Sequence, residues 1–410
     1  MRTHLPGVRD VRPARRLLRA AFAPFWVVPA LWCLASVALG LVLPEIDEDV
    51  ASWMPILFGG GPEGARTVLS SIAGAMISVT TLVFSITIVV LQLAASQFSP
   101  RVLGTFLEDR VTQHTLGVFA ATFLYSLTVL RSIVDTETST VPQLAVTVSY
   151  LLVLAAVAMF LAYIHHITEA IAVGTIVRRT GAETRALLER TLARRPAHPV
   201  EPTASHLPGE HVVTAGHSGH LDLVDVAPLV DVARRNDVRV DVLHALGTFV
   251  PSGAPLAVVR GTTPGADDDT SRLVRRHLHL SHERTLQQDV SFGVRRLVDI
   301  AERALSPGIN DPTTAVQVVD QLHDLLRRAA AAADPAGVEG DEDGVARVEL
   351  RPHRFADLLD LAVDEVAHWG ADSIQVPPRL EAMLVDLRAA ARREHRAAIE
   401  AKLAAVARLS

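Results

Sequence analysis

Ser71, Gly74, Ser78, Thr81, Ser85, Gln92 and Ser96 recur at steps of three, four or seven through the uncharged run 68–95 and just past it. On a helix that spacing gathers them onto one face, while Met76, Ile77, Leu82, Val83 and Ile86 point elsewhere. Hydroxyls and a carboxamide in such a row, supplied by several copies around an axis, offer oxygen dipoles to a partly dehydrated ion. The row has a second reading. Small residues let helices approach closely, Gly74 and Ser78 form a small-xxx-small pair, and Ser and Thr hydroxyls bond back to the carbonyl four residues earlier. Pore lining and helix packing both stay open, and one helix can do both.

Three further groups of residues could do chemistry. His165, His166 and Glu169 cluster at the end of an apolar run, where a metal or a pH response is conceivable, although two ligands without a third are a weak metal set. In RRHLHLSHER, His279 and His282 share a helical face and His277 does not, which makes a poor metal site. Arg284, Arg295 and Asn310, next to the helix start at Asp311-Pro312, are the anion-binding candidates, with a nucleotide or phosphorylated metabolite in view. The plain alternative is an exposed ion-pair ladder of Arg295, Asp299 and Arg303 at i, i+4 and i+8, beside a turn-and-cap role for Asn310 and Asp311.

Enzyme signatures are not found. Lys402 is the only lysine, so a phosphate loop, a Schiff base and a biotinyl turn are all disfavoured. Gly216-His-Ser-Gly is not a nucleophile elbow. Cys33 is the only cysteine and forms no intrachain disulfide. A net charge of −6, without basic runs interleaved with aromatics, argues against nucleic acid as a partner. No catalytic residue, metal or cofactor is expected.

These residues need elements to hold them. Across 410 residues, 49% are hydrophobic, and the apolar ones concentrate before about residue 174. That pattern is an integral membrane protein followed by a soluble domain. Residues 1–19 form a basic N-terminus, and 20–43 is too long an apolar run, without a convincing cleavage site, for a secretory signal. Spans are expected at 20–43, 68–95, 114–133 and 146–167, with a short interfacial helix after Ser99-Pro100. Arginine-rich connections fall on one side and acidic ones on the other, which predicts four crossings with both termini cytoplasmic. The membrane domain is thus 20–174, and a helix with a proline-marked linker fills 175–208.

Residues 209–410 read as a cytosolic α+β domain. Strands flank the Gly-His-Ser-Gly turn, and a helix follows at 228–236. The segment VRVDVLHALGTFVPSGAPLAVVRG resembles the half-barrel hairpin of a barrel-sandwich hybrid, without the lysine of a carrier. Helices are expected at 271–280, 283–305 and 312–333, then a strand at 345–350, a helix at 354–369 and one long helix at 378–409.

The stretches VFSITIVVLQLAASQFSPRVLGTFLEDR and ERTLQQDVSFGVRRLVDIAERALSPGINDPTTAVQVVDQL together resemble an uncharacterised family of bacterial predicted membrane proteins, a domain of unknown function. The resemblance implies a four-span bacterial inner-membrane protein with a cytosolic C-terminal domain, and it brings no catalytic residue with it. The expectation is a membrane α-helical domain plus a cytosolic α+β domain with a small barrel-sandwich-like β-module. Its expected function is an oligomeric inner-membrane ion channel or transport protein, not an enzyme, with a cytosolic sensing and gating domain. The alternative is a non-conducting scaffold or receptor. Partners would be the lipid bilayer, further copies of the chain and small ions.

Overall fold

The computed structural model describes residues 25–51, 58–97, 109–133, 141–170, 172–194, 209–261 and 267–408. The expected basic N-terminus, the helix after Ser99, the acidic connection at 135–137 and the linker 196–208 lie outside these residues. The chain divides into two compact units, 1–172 and 173–410.

In the first unit four helices are long and apolar enough to cross a membrane: α1 (Val27–Ala51), α2 (Pro62–Gln97), α3 (Arg110–Ser132) and α4 (Gln143–Ala170). The helix α3 lies at the centre. Of its spanning window 56% is buried, against 17–22% for the other three. It is also the least apolar of the four, because a helix enclosed by other helices meets no acyl chains and can carry hydroxyls at little cost. Thr115, Thr122 and Ser126 are buried and donate to the carbonyls of Val111, Val118 and Thr122 at 2.8, 2.8 and 2.9 Å. Tyr125 donates across to the Ala145 carbonyl at 2.9 Å, fixing α3 against α4. Gly117 lets α1 come close, since a Cβ there would lie 2.6 Å from Trp32 Cδ1.

The second unit begins with α5 (Val173–Ala193). A five-stranded sheet follows in the order β1 (Glu210–Thr214), β5 (Pro255–Arg260), β3 (Arg239–Val242), β8 (Ala346–Glu349), β7 (Val338–Gly340). Only β3 and β8 pair in parallel. A three-stranded antiparallel sheet has the order β4 (Phe249–Val250), β2 (Gly219–Val224), β6 (Leu278–Ser281). Two short helices, α6 (Val226–Arg235) and α7 (Asp267–Arg276), complete this half. No barrel closes among the described residues. The strands β3 and β5 do pair antiparallel, but the chain between them leaves to place β4 in the other sheet, re-entering through Gly253 at φ +78°. A single core, including Val213, Leu221, Leu229, Val240 and Val259, joins both sheets.

The helical half comprises α8 (Val290–Leu305), α9 (Pro312–Ala331), α10 (Phe355–Trp369), α11 (Val376–Ala390) and α12 (Arg396–Val406). Asp311 caps α9 by accepting from Thr314 N at 3.1 Å, with Pro312 in the first turn as its sequence predicts. Three expectations change. Residues 278–281 are strand β6 rather than the end of a helix. The helix expected from 283 starts at Val290, because Thr285 and Gln288 are spent holding the preceding loop to β2: Thr285 N and Oγ1 donate to Asp222 at 2.7 and 3.0 Å, and Gln288 bonds both backbone groups of Val224. The single long C-terminal helix is broken after Ala390. There Arg392 N donates to the Ala330 carbonyl, and buried His395 donates Nδ1–H to the same oxygen at 3.0 Å while stacking on Phe355.

Candidate functional site

The helix α2 packs on its own unit through Ala65, Leu69, Ala73, Met76, Val83 and Val90, all buried. Gly74 stands nine residues from both Ala65 and Val83, about two and a half turns, and therefore on the opposite side. Ser71, Gly74, Ser78, Thr81, Ser85 and Gln92 are all exposed along that side. Ser96 is in the same helix, but its side chain lies outside the described ones. The row therefore faces away from the bundle of its own chain.

Each of the row's four described hydroxyls has spent its proton. Ser71 donates to Thr67 O at 2.7 Å, Ser78 to Gly74 O at 3.1 Å, Thr81 to Ile77 O at 2.9 Å and Ser85 to Thr81 O at 2.9 Å. What these four hydroxyls leave outward is oxygen lone pairs, and exposed Gln92 adds a carboxamide with both an acceptor and donors. Gly74 has open space where a Cβ would sit, so nothing among the described residues requires a glycine there. Inside the bundle lies a hydroxyl contact that sequence reasoning missed, Thr87 with Tyr163 at 2.7 Å. The signal was available: Thr87 falls on the face of Val83 and Val90, off the stripe.

The histidines at the end of α4 do not converge. His166 Nε2 lies 3.0 Å from Asp109, the residue that caps α3, and so ties the two helices together. His165 sits 3.7 Å from Glu169 with both side chains largely exposed. In the second unit, His277 and His279 alternate along the approach to and body of β6 and meet at one carboxylate, Asp225, at 3.9 and 2.8 Å. The helical pairing of His279 with His282 is thereby corrected. Burial above all lowers the His277 pKa, with Asp225 acting in the opposite direction. Among the described residues no three metal-ligating side chains group together.

Arg284, Arg295 and Asn310 occupy three separate places. Arg284 donates Nε and Nη2 to Asp289 Oδ2 at 2.9 and 2.7 Å, reaches Ser291 Oγ at 2.8 Å and lies 5.1 Å from the centre of the Phe292 ring. Asp289 is 1% exposed and caps α8 through Phe292 N at 3.0 Å. Gly247, at φ +83°, passes so close that a Cβ would lie 2.4 Å from Asp289 Oδ2. Ser291 donates to Asp289 Oδ1 at 2.7 Å and lies 3.1 Å from His353 Nε2. That nitrogen is also 2.8 Å from the Leu246 carbonyl, which can only accept, so Nε2 carries the proton. It cannot also take one from Ser291, and the trio is a structural network rather than a nucleophile and its base.

Arg295 is likewise engaged, by three carboxylates: Asp299 at 2.6 Å, Glu302 at 2.7 Å and Glu365 of α10 at 2.6 Å. The ladder expected on an exposed face is a mostly buried cluster spanning two helices. Burial opposes its charge, yet bonds to Glu365 and Asp299 hold the guanidinium above its ordinary pKa. Burial first, then the neighbouring Glu365, push the Glu302 carboxyl up to about 7 against the pull of Arg295. Asn310 lies in the turn between α8 and α9 at φ +49°, a conformation asparagine tolerates.

Comparison with known proteins places this architecture. Uncharacterized proteins of Mycobacterium bovis and of two strains of Mycobacterium tuberculosis are 34% identical over 399 residues, covering 93% of this chain and 75% of theirs. No solved structure matches the chain. The family model described as predicted membrane protein (DUF2254) matches residues 23–386. With four membrane-length helices ahead of a mixed-sheet and helical unit, the chain belongs to the DUF2254 family of predicted membrane proteins.

Proposed function

We propose that this chain is one subunit of an oligomeric inner-membrane channel or transport protein. In this reading α2 borders the permeation route, the termini are cytoplasmic, and the second unit senses a ligand or state and gates the route. One observation carries the reading: the hydroxyl edge of α2 points away from its own bundle, with its protons bonded internally and its oxygens outward. A row of acceptors around an axis suits a cation that has shed part of its water. Purified protein in liposomes is expected to pass small cations, and Ser78→Leu and Ser85→Leu to reduce that flux. Absence of flux for all common ions would overturn the proposal.

A second reading has its own support. Because the four described hydroxyls of the row donate within α2, the edge also suits a dry contact with another copy, as in a non-conducting scaffold or receptor. That reading predicts disulfide formation between copies at Ser78→Cys, in a Cys33→Ala background, with no flux.

A further inference from the structure

A cavity of 260 Å³ opens in the second unit between α5, strand β2 and the segments flanking β7 and β8. Its floor is apolar, including Leu187, Leu221, Val224 and Val242. Arginines 190, 194 and 351 also line it. Arg194 is neutralised by Glu339 at 3.1 Å. Arg190 gives only its Nε–H, to the Ala186 carbonyl at 3.0 Å, and has no carboxylate partner among the described residues. Arg351, among the described residues, has no hydrogen bond or ion pair at all. Two exposed guanidinium groups without a carboxylate partner among the described residues thus line an otherwise apolar hollow.

Beside it lies a smaller hollow of 80 Å³ that shares Thr191, Leu246, Gln288, Pro335 and Pro352 with it. Leu188, Val290 and Leu358 line the hollow together with Asp334 and His353, so a mostly apolar lining extends from the first cavity towards α8 and α10. Each simple ligand class leaves part of this surface unmet. Inorganic phosphate would leave the floor wet, a neutral hydrocarbon would leave the arginines unpaired, and an amphipathic cation would be repelled. We infer that the cavity binds an amphipathic anion, an aliphatic chain lying along this lining with one carboxylate or phosphate head at Arg190 and Arg351. The inference stands apart from the permeation proposal, since binding here requires no conduction.

The test uses the full chain in lipid nanodiscs with a water-soluble octanoate carrying a diazirine, beside an octylammonium of matched length. After photolysis, mass mapping is expected to find the carboxylate probe on peptides spanning 187–194 and 335–352. Unlabelled octanoate and octyl phosphate should compete, and the ammonium probe should label these peptides far less. Arg190→Glu with Arg351→Glu should reduce labelling about tenfold or more, the loss of a charge-assisted contact, with the thermal midpoint unchanged. Leu246→Trp, at a half-buried residue lining both hollows, should block it. Protection in phosphatidylglycerol nanodiscs, but not in zwitterionic ones, would place the head on a lipid, and equal labelling in both would place it on a free anion; either supports the site. Equal labelling by both probes, or labelling confined to α1–α4, would overturn it.

Discussion

Asp289 holds three partners at once, the guanidinium of Arg284, the hydroxyl of Ser291 and the Phe292 amide in the first turn of α8. Its removal leaves a part-buried arginine without its counter-charge, a loss in the range of about 3–5 kcal/mol. Asp289→Ala is therefore expected to lower stability by that amount in denaturant unfolding, and Asp289→Asn by less, because the amide oxygen still caps Phe292. A loss below about 1 kcal/mol would show the network to be idle. Glu302 makes a pH prediction. Its carboxyl is raised from the usual 4.5 to about 7 in the folded chain, where Arg295, Asp299 and Glu365 surround it. The folded state then holds more protons than the unfolded one between those values, so stability present below about 4.5 declines as pH rises through about 7. Melting temperature measured across this window should fall with pH, and Glu302→Gln should flatten the slope. A slope that Glu302→Gln leaves intact would assign the titration to another group.

At the scale of elements, two glycines of membrane helices make opposite predictions. Gly117→Leu drives a side chain into Trp32 on α1 and should destabilise the four-helix unit by about 1–3 kcal/mol, read as a lower melting temperature in detergent. Gly74→Leu meets open space within the chain, so it should leave that melting temperature unchanged and instead weaken association of copies, read by light scattering. Equal effects of the two would remove the distinction between inner and outer faces. The elements themselves were legible wherever a local rule decides them. Apolar runs of membrane length marked all four spans, and Asp311-Pro312 marked the start of α9. Sequence failed where a distant partner decides. Residues 278–281 become a strand because β2 lies alongside, and the last helix breaks because His395 and Arg392 bond to Ala330, far earlier in the chain. The partners of the anion candidates were hidden for the same reason: that Arg284 and Arg295 are held by carboxylates depends on Asp289 at a loop end and Glu365 on another helix.

For the whole molecule, the central claim is that the outer edge of α2 meets water or another copy of the chain rather than acyl chains. The hydroxyls of Thr115, Thr122 and Ser126 on α3 are buried and bonded within the bundle, whereas this row on α2 is exposed. The spacing of the row was plain in the sequence; its direction was not, since only packing tells which side of α2 the bundle takes. The most direct measurement is thiol accessibility in reconstituted protein. Ser78→Cys, Ser85→Cys and Phe84→Cys, each in a Cys33→Ala background, are treated with a charged, membrane-impermeant thiosulfonate and with a lipid-soluble maleimide. Phe84 is exposed on a neighbouring, apolar side of α2 and serves as the acyl-facing control. The prediction is that position 84 reacts only with the lipid-soluble reagent, while positions 78 and 85 react with the charged one where water meets the edge and with neither where another copy covers it. Reaction of all three with the lipid-soluble reagent alone would place the edge against lipid and contradict the account.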